Sequence, residues 1–347
     1  MKQEKEITIY DIARKLNISA TTVSRGLQDN PAINKLTRKK IADTAKALGY
    51  RSNNFASSLR SKKTNTLGVL VPRLNSYFMA SVMSGMEDAA NKEGYNLIIS
   101  QSQEKAAKEA ANAHTMFNKR VDGLLVSLAS ETENIDHLAP FFRKGIPVVF
   151  FDRVFPHKDS TCVVIDNYKA AYEVTKHLID GGCRRIMLLG GNMLRNVYAD
   201  RLRGYQQALK DRKIPFNEKL IYISNLAEQD GVNAAELILK MKAKERPDAI
   251  FAANDTAAVH CMIHLKAAGI QIPGEIAFAG FNNDPISSIV EPNLTTVNYP
   301  GYTMGEIAVT NLISHLSGQN NVKNTSTVVL RSDLVIRASS QKSKAAK

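Results

Sequence analysis

Cysteine is scarce in this sequence, and long apolar runs are absent. The odd number and wide separation of the cysteines exclude a disulfide framework and favour free thiols in a reducing compartment. The polar residues 1–6 lack the apolar core of a signal peptide, and no run approaches the length of a membrane span. We therefore expect a cytoplasmic protein that is neither exported nor embedded in a membrane. The three cysteines are Cys162, Cys183 and Cys261.

Motifs typical of enzymes are also missing. There is no Gly-x-Ser-x-Gly nucleophile elbow, no glycine loop for phosphates and no paired cysteines for zinc. His260, Cys261 and His264 come nearest to a metal site, but no acidic residue accompanies the first histidine and no second motif supplies further ligands. Two ordinary histidines on a helix are therefore favoured. The sequence predicts no enzyme, no catalytic residue, no metal site and no cofactor.

Positive charge is concentrated at the start of the chain. The first 64 residues contain 14 Lys and Arg against 5 Asp and Glu, whereas the remaining 283 contain 32 against 28. Most of the net charge of +13 therefore lies in the first fifth of the sequence, as expected of a nucleic-acid-binding module. The whole chain of 347 residues, 44% of them hydrophobic, predicts a soluble globular protein of two or more compact units.

Residues 8–18 predict a short helix. Thr8 is suited to the N-cap, and Asp11 follows three residues later in a variant of the capping box. Apolar residues then recur at helical spacing as far as Leu16. The helix must end soon afterwards, because Ser19 is suited to be the N-cap of a second helix.

The second helix is predicted to run to about Leu27, with Val23 and Leu27 pointing inward. A small polar outer face suits a helix in the DNA major groove, where threonine can contact a base edge and arginine can bind guanine or a phosphate. An ordinary helical pair with a solvated face has the same spacing, and the local charge favours the DNA interpretation. The residues predicted to face outward are Ala20, Thr21, Ser24 and Arg25.

A third helix is predicted to follow within a unit of residues 1–50. Asn34 is the expected N-cap, and Gly49 lies where a C-terminal cap is expected. Phosphate contacts and a solvated face remain equally open for its basic side chains. The predicted apolar stripe consists of Ile41, Ala45 and Leu48, and the basic residues are Arg38, Lys39 and Lys40.

Residues 51–65 are too polar to fold alone and predict a linker. Phe55 and Leu59 are spaced i,i+4, and Ala56 would permit close contact between helices. The segment is therefore either a flexible linker or a helix that forms on DNA.

From residue 66 onward, short apolar strands alternate with amphipathic helices in two successive series. This alternation predicts parallel sheets covered by helices in two lobes, with a ligand at the carboxyl ends of the strands. The predicted N-lobe covers about 66–164 plus 297–324, and the C-lobe about 165–294 plus 325–338. The polar, basic stretch 338–347 lacks a leucine heptad and predicts no coiled-coil tetramer.

Five stretches of polar and aromatic residues should reach the cleft between the lobes. Carboxylates, amides and an arginine near aromatic rings suit a polyhydroxylated ligand. A salt bridge between Arg201 and Asp255, and a turn-forming role for Asn254, are the structural alternatives. The stretches are 75–78, 151–153, 201–205, 253–255 and 280–284.

The runs Thr8-Ile-Tyr-Asp-Ile-Ala, Ile18-Ser19 and Thr22-Val23-Ser24-Arg25 resemble the DNA-reading domain of the lactose/galactose repressor (LacI/GalR-type) family of bacterial transcriptional regulators. A looser resemblance extends across essentially the whole chain. It implies a small all-α helix-turn-helix domain followed by a two-lobed α/β periplasmic-binding-protein-like domain. It also implies a homodimer that binds double-stranded operator DNA of near-palindromic sequence under the control of a small-molecule effector.

The resemblance implies a set of DNA contacts. Leu59 would wedge into the minor groove, and the linker has Ser52 where the family usually has proline. Residues expected to read bases are Ala20, Thr21 and Arg25; those expected to contact the DNA backbone are Thr8, Tyr10, Ser19, Thr22 and Ser24; and Asn53, Ala56 and Leu59 complete the set in the linker.

The resemblance also implies an effector site with two departures from the family pattern. The family commonly has aspartate at Asn282 and often glutamine at Tyr299, so the ligand could be less rich in hydroxyls, larger or more anionic than a typical sugar. A sugar or sugar derivative is still favoured over a nucleobase or phosphorylated metabolite. The implied effector residues are Asn75, Tyr77, Phe78, Asp152, Arg201, Asn254, Asp255, Asn282 and Tyr299.

The resulting prediction is a sequence-specific transcriptional regulator, with repression favoured and the direction of the effector's action left open. A solute-binding protein would have the same lobes but no use for the basic first module. A nonspecific architectural DNA-binding protein is a further alternative.

Overall fold

The computed structural model describes residues 7–50, 63–319 and 327–342. The chain divides into two compact units, residues 1–64 and 65–347. In the described part of the first unit, which we call the headpiece, the helices are α1 (Ile9–Leu16), α2 (Ala20–Leu27) and α3 (Lys35–Ala47).

The predicted helix boundaries of the headpiece are confirmed by local hydrogen bonds. The Thr8 backbone N–H donates to the Asp11 carboxylate over 2.9 Å at the start of α1. Ser19 Oγ accepts from the Thr22 N–H at the start of α2, and Asn34 Oδ1 accepts from the Leu36 N–H at the start of α3. These short-range bonds satisfy N–H groups that have no partner inside the helices. The buried core consists of Ile12, Ala13, Val23, Ile41 and Ala45.

One predicted orientation on α2 is wrong. Ser24 is only 9% exposed, and Ala20 is half-buried against the headpiece core rather than fully outward. The reason is that α2 packs against both α1 and α3, which buries a wider arc than one apolar pair would cover. Thr21 and Arg25 are exposed as predicted.

The first lobe contains a parallel sheet of strand order β11-β5-β4-β3-β1-β2. Its strands are almost wholly buried near the centre, as is typical of parallel sheets covered on both faces. The strands are β1 (Thr66–Val71), β2 (Asn96–Gln101), β3 (Gly123–Val126), β4 (Val148–Phe151), β5 (Ser160–Ile165) and β11 (Thr327–Leu330), and the helices are α4 (Tyr77–Lys92), α5 (Ala106–Asn118), α6 (Ala139–Arg143) and α12 (Gly301–Leu316).

The second lobe contains a parallel sheet of order β7-β6-β8-β9. A short antiparallel pair, β10 with β12, lies beside it. The strands are β6 (Ile186–Gly190), β7 (Ile221–Ile223), β8 (Ala249–Ala252), β9 (Ala277–Ala279), β10 (Thr296–Val297) and β12 (Leu334–Val335), and the helices are α7 (Asn167–Asp180), α8 (Asn196–Asp211), α9 (Glu228–Lys240), α10 (Asp255–Ala267) and α11 (Ile286–Ile289).

Two assignments near the end of the chain are corrected by the sheet pairing. The sequence places residues 325–338 in the C-lobe, but β11 pairs with β5 in the first lobe, and the chain returns only afterwards, at β12. The stretch after residue 337 is not simply a polar tail. Ser339 and Ser340 are buried, and Ser339 Oγ donates to the Phe278 carbonyl and accepts from the Thr295 N–H. Backbone partners therefore satisfy polar side chains that the composition alone places in solvent.

Helix α8 begins earlier than the sequence predicts. The pattern predicts a start at Arg201, whereas the helix begins at Asn196. The polar residues of its first turn obscured the apolar period. Arg201 therefore lies in the second turn, where its side chain can enter the interior. No helix in the described part of the chain is long and apolar enough to cross a membrane.

Candidate functional site

A cavity of about 480 Å³ lies between the two lobes, within the size range of small-molecule sites. Strand ends and helix starts from both sheets line it, as the α/β topology predicts. The polar and aromatic lining residues include Arg73, Asn75, Phe78, Glu104, Asp152, Arg153, Tyr198, Arg201, Asn225, Glu228, Gln229, Asn254, Asn282 and Tyr299.

Asp152 follows β4 directly and lies in the cavity wall with a φ of 57°. Its carboxylate accepts from the Tyr299 hydroxyl over 2.8 Å and from Ser127 Oγ over 3.3 Å. Burial raises the pKa of Asp152, although nearby Arg153 and the Tyr299 hydrogen bond oppose the rise. The acid is therefore already capped by a tyrosine, at the position where the family often has glutamine.

Arg201 is 3% exposed and still lines the cavity. Its Nε donates to Asn167 Oδ1 over 2.9 Å, and its Nη1 donates to the Ala253 carbonyl over 2.7 Å. The guanidinium carbon lies 3.5 Å from the ring centroid of Phe281. Burial lowers the pKa of Arg201, but an arginine stays charged in proteins. The site thus presents a desolvated cation held rigidly in place.

An ion group of Arg73, Glu104 and Arg153 forms another part of the wall. Arg153 Nη1 donates to Glu104 Oε2 over 2.7 Å, and Arg73 Nε lies 3.3 Å from Glu104 Oε1. Burial alone would raise the pKa of Glu104, but Arg153, the Ser130 N–H and Arg73 outweigh it and lower the pKa. Sequence reasoning missed this group, although Arg153 follows Asp152 directly and could have been included with it.

The second lobe contributes through the start of α8. Arg153 Nη2 donates to the Tyr198 hydroxyl over 3.1 Å, and Asn196 Oδ1 accepts from the Val154 N–H. Asn192 Nδ2 also donates to the Ser130 carbonyl. These bonds join the two lobes beside the cavity. The sequence did not indicate Tyr198 because its role depends on the earlier start of α8.

The aromatic wall is only partly as predicted. Phe78 stacks on Tyr299 with ring centroids 4.3 Å apart, and Asn75 and Asn282 line the cavity. Tyr77 does not line it: this side chain is 59% exposed and lines a separate cavity of about 230 Å³. Adjacent residues on a helix point about 100° apart, so Tyr77 and Phe78 cannot face the same space.

Two further predicted contacts have structural partners. Asp255 is fully buried outside the cavity lining, where it accepts from Thr296 Oγ1 and from the Asp284 N–H. Burial raises the pKa of Asp255 to about 8. Asn254 lines the cavity, but its Oδ1 caps α10 by accepting from the Ala257 N–H and its Nδ2 donates to the Leu226 carbonyl. Its turn-forming alternative is therefore realised.

The headpiece presents most of its predicted DNA contacts on its surface. Thr8, Tyr10, Ser19, Thr21 and Arg25 are exposed, and Thr22 is half-buried. Arg38, whose role was left open, pairs with Asp29 over 2.5 Å. The linker residues predicted to contact DNA, together with Ser52, lie outside the described residues; they are Asn53, Ala56 and Leu59.

The histidines considered as metal ligands have other surroundings. His260 Nδ1 hydrogen-bonds the Thr256 carbonyl over 2.9 Å, and Cys261 is fully buried. Within residues 7–50, 63–319 and 327–342, no group of three or more His, Cys, Asp or Glu side chains could hold a metal ion.

Comparison with known proteins gives consistent results for both units. Residues 8–53 match the model of bacterial regulatory proteins of the lacI family, and residues 175–340 match a periplasmic binding protein-like domain. Catabolite control protein A of Priestia megaterium is 33% identical over 312 residues, covering 90% of this chain and 93% of that protein. The ribose operon repressor of Haemophilus influenzae is 31% identical over 332 residues, covering 96% and 98%.

A solved structure extends the similarity to the whole fold. The transcriptional regulator CelR in complex with cellobiose has a TM-score of 0.71 and 25% sequence identity. The match covers 96% of this chain and 100% of that one. The order of the two units is therefore shared along the full length.

Proposed function

Because this chain belongs to the lacI family of bacterial regulatory proteins, and is thus a DNA-binding transcriptional regulator, we propose that it is a repressor. In this proposal it binds a near-palindromic operator as a homodimer, and a sugar-like effector in the cavity between the lobes controls it. The observation that carries the proposal is the presence, in one chain, of a basic helix-turn-helix and a ligand-sized cavity.

The exposed face of α2 supports sequence-specific DNA binding. Thr21 and Arg25 are exposed there, whereas the rest of α2 packs inward. An arginine at such a position can donate two hydrogen bonds to guanine, and threonine can contact a base edge or a thymine methyl. The net charge of +9 over residues 1–64 would attract the phosphate backbone.

An apolar surface on the second lobe supports dimer formation. Ile263 on α10 is 52% exposed, and Ile289 on the neighbouring α11 is 77% exposed. Exposed isoleucines on adjacent helices are typical of a surface that another chain covers. A symmetric pair would present two α2 helices to two half-sites, and this accounts for the near-palindrome.

The cavity supports a sugar-like effector. It combines amides, charged groups and the stacked pair Phe78 and Tyr299, which can bind hydroxyls and the face of a sugar ring. The related CelR is in complex with cellobiose, and another relative is a ribose operon repressor. A nucleobase or phosphorylated metabolite remains the alternative effector. The ligand would act through unequal affinity for two arrangements of the lobes.

The proposal is tested by selecting bound duplexes from a random DNA pool with the full-length protein at near-physiological salt. Enrichment of a near-palindromic motif would support the dimeric repressor, and the enriched duplex would then serve as the probe for testing sugars. Binding to all sequences without enrichment would favour an architectural protein. If no DNA binds, the selection is repeated with cell extract, and a second failure would contradict the proposal.

A further inference from the structure

The cavity contains a buried cation that no carboxylate neutralises directly. Both side-chain hydrogen bonds found for Arg201 go to neutral oxygens, those of Asn167 and the Ala253 carbonyl, within the described part of the chain. The guanidinium is 97% buried, since its residue is 3% exposed, and its remaining contact is the face of Phe281. A desolvated guanidinium interacts strongly with an anion that reaches it.

The carboxylates of the cavity are already engaged by protein donors. Asp152 accepts from Tyr299 and Ser127. Glu104 accepts from Arg153 and the Ser130 N–H and is paired with Arg73. A sugar with only hydroxyl groups needs such acceptors for its protons, but these acceptors would have to be shared with existing donors.

The charges of the lining point in the same direction. The inner wall contains three guanidinium groups, those of Arg73, Arg153 and Arg201, against the two carboxylates of Asp152 and Glu104. A further lining acid, Glu228, is 76% exposed at its side chain, so water screens its charge. One positive charge is therefore left in excess inside the cavity.

We infer that the effector is an anionic sugar, such as a sugar acid or a sugar phosphate, whose negative group binds between Arg201 and Arg73. This inference rests on the proposed function, because it names the ligand class of the same cavity. The negative group neutralises the excess charge and accepts hydrogen bonds that the engaged carboxylates cannot provide. The hydroxyl-bearing ring then lies toward Asn75, Asn282 and the Phe78–Tyr299 pair.

The inference is tested with matched ligands on the full-length protein by isothermal titration calorimetry. The ligands are glucose, gluconate and glucose 6-phosphate, together with ribose and ribose 5-phosphate. We expect at least one anionic member to bind about tenfold or more tightly than its neutral parent, and the difference to shrink as salt rises. Gluconate and the phosphates separate a carboxylate from a phosphate preference.

The matched variants are Arg73→Gln and Arg203→Gln. Arg73 can be replaced without unpairing Glu104, which keeps Arg153. Arg203 is on α8 like Arg201, but its side chain is 66% exposed and it bonds Asp200 outside the cavity lining. Arg73→Gln should weaken the anionic ligand about tenfold and leave the neutral parent unchanged, whereas Arg203→Gln should change neither.

Three results would overturn the inference: equal affinity for neutral and anionic members, equal loss of both in Arg73→Gln, or no binding by any of the five compounds at millimolar concentration. DNA selection with the same preparation separates this failure from that of the proposed function. An enriched operator with no anion preference would contradict only the ligand class.

Discussion

The headpiece and the lobed unit differ in the distance over which their functional residues are organised. In the headpiece, Thr8 bonds Asp11 and Ser19 bonds Thr22, each three residues apart. In the lobed unit, Tyr299 bonds Asp152 across 147 residues. A local pattern therefore places the DNA-reading face, whereas the effector cavity exists only after distant strands and helices have packed.

This difference extends to burial and charge. The DNA-reading side chains are mostly exposed, so they are chosen for what they can contact. The cavity residues Asp152 and Arg201 are almost fully buried, so each needs hydrogen-bond partners to offset desolvation. We expect a mutation in one unit to leave the function of the other measurable, and the following predictions test this independence from the largest expected effect to the smallest.

Ile41→Ala should break the comparison most strongly by unfolding only the headpiece. Ile41 is fully buried in a core of five residues, and removing its side chain should cost about 2–5 kcal/mol. Hydrogen exchange followed by mass spectrometry should show lost protection in α1 to α3 and unchanged protection in β1 to β9. Loss of protection in both units would show that their stabilities are coupled. The exposed Lys39→Ala on α3 is the control.

Asp255→Asn should change the pH dependence of the lobed unit. The folded pKa of about 8 lies above the ordinary value of 3.8, so between these pH values the folded state holds a proton that the unfolded chain has released. Stability contributed by this group therefore falls as pH rises from 5 to 8, by up to about 1.4 kcal/mol per pH unit. Urea unfolding at both pH values should show a smaller fall in the variant.

The control for this measurement is Glu236→Gln, an exposed acid on α9. It should retain the slope of the original protein. An unchanged slope in Asp255→Asn would instead assign the pH dependence to Asp284, whose pKa burial raises to about 6.

Arg25→Ala should alter DNA recognition without altering the lobed unit. If Arg25 reads a base, the variant should lose about 1–3 kcal/mol of operator binding and relax the preference at one position. Uniform weakening on all sequences with a shallower salt dependence would assign Arg25 to a phosphate. Fluorescence anisotropy with operator variants measures both, and the exposed Arg14→Ala on α1 is the matched control.

Asn34→Ala should give the smallest effect. Its side chain caps α3 through one hydrogen bond, and loss of such a cap costs about 1 kcal/mol. Exchange rates in the first turn of α3 should rise while those of the lobed unit stay constant. No change at all would mean that water replaces the cap without loss.

Prediction from sequence succeeded where signals were local. The headpiece caps and most strands of both sheets lie within a residue or two of their predicted places. It failed for Ser24, because two helices pack on α2, and for β11, because the strand's apolar pattern does not indicate which sheet it joins. Asp255 and Tyr77 occupy the predicted stretches, but their side chains point away from the cavity.

The sequence by itself determined the helix-turn-helix, the alternation that produces two parallel sheets and the excess of positive charge at the start of the chain. Hydrophobic period, capping residues and charge are properties of neighbouring residues, so they can be read directly. Only the tertiary structure decided that Glu104 pairs with Arg73 and Arg153, that Tyr299 caps Asp152 and that Arg201 lacks a carboxylate. Those facts depend on which buried groups meet after packing, and no local pattern encodes such meetings.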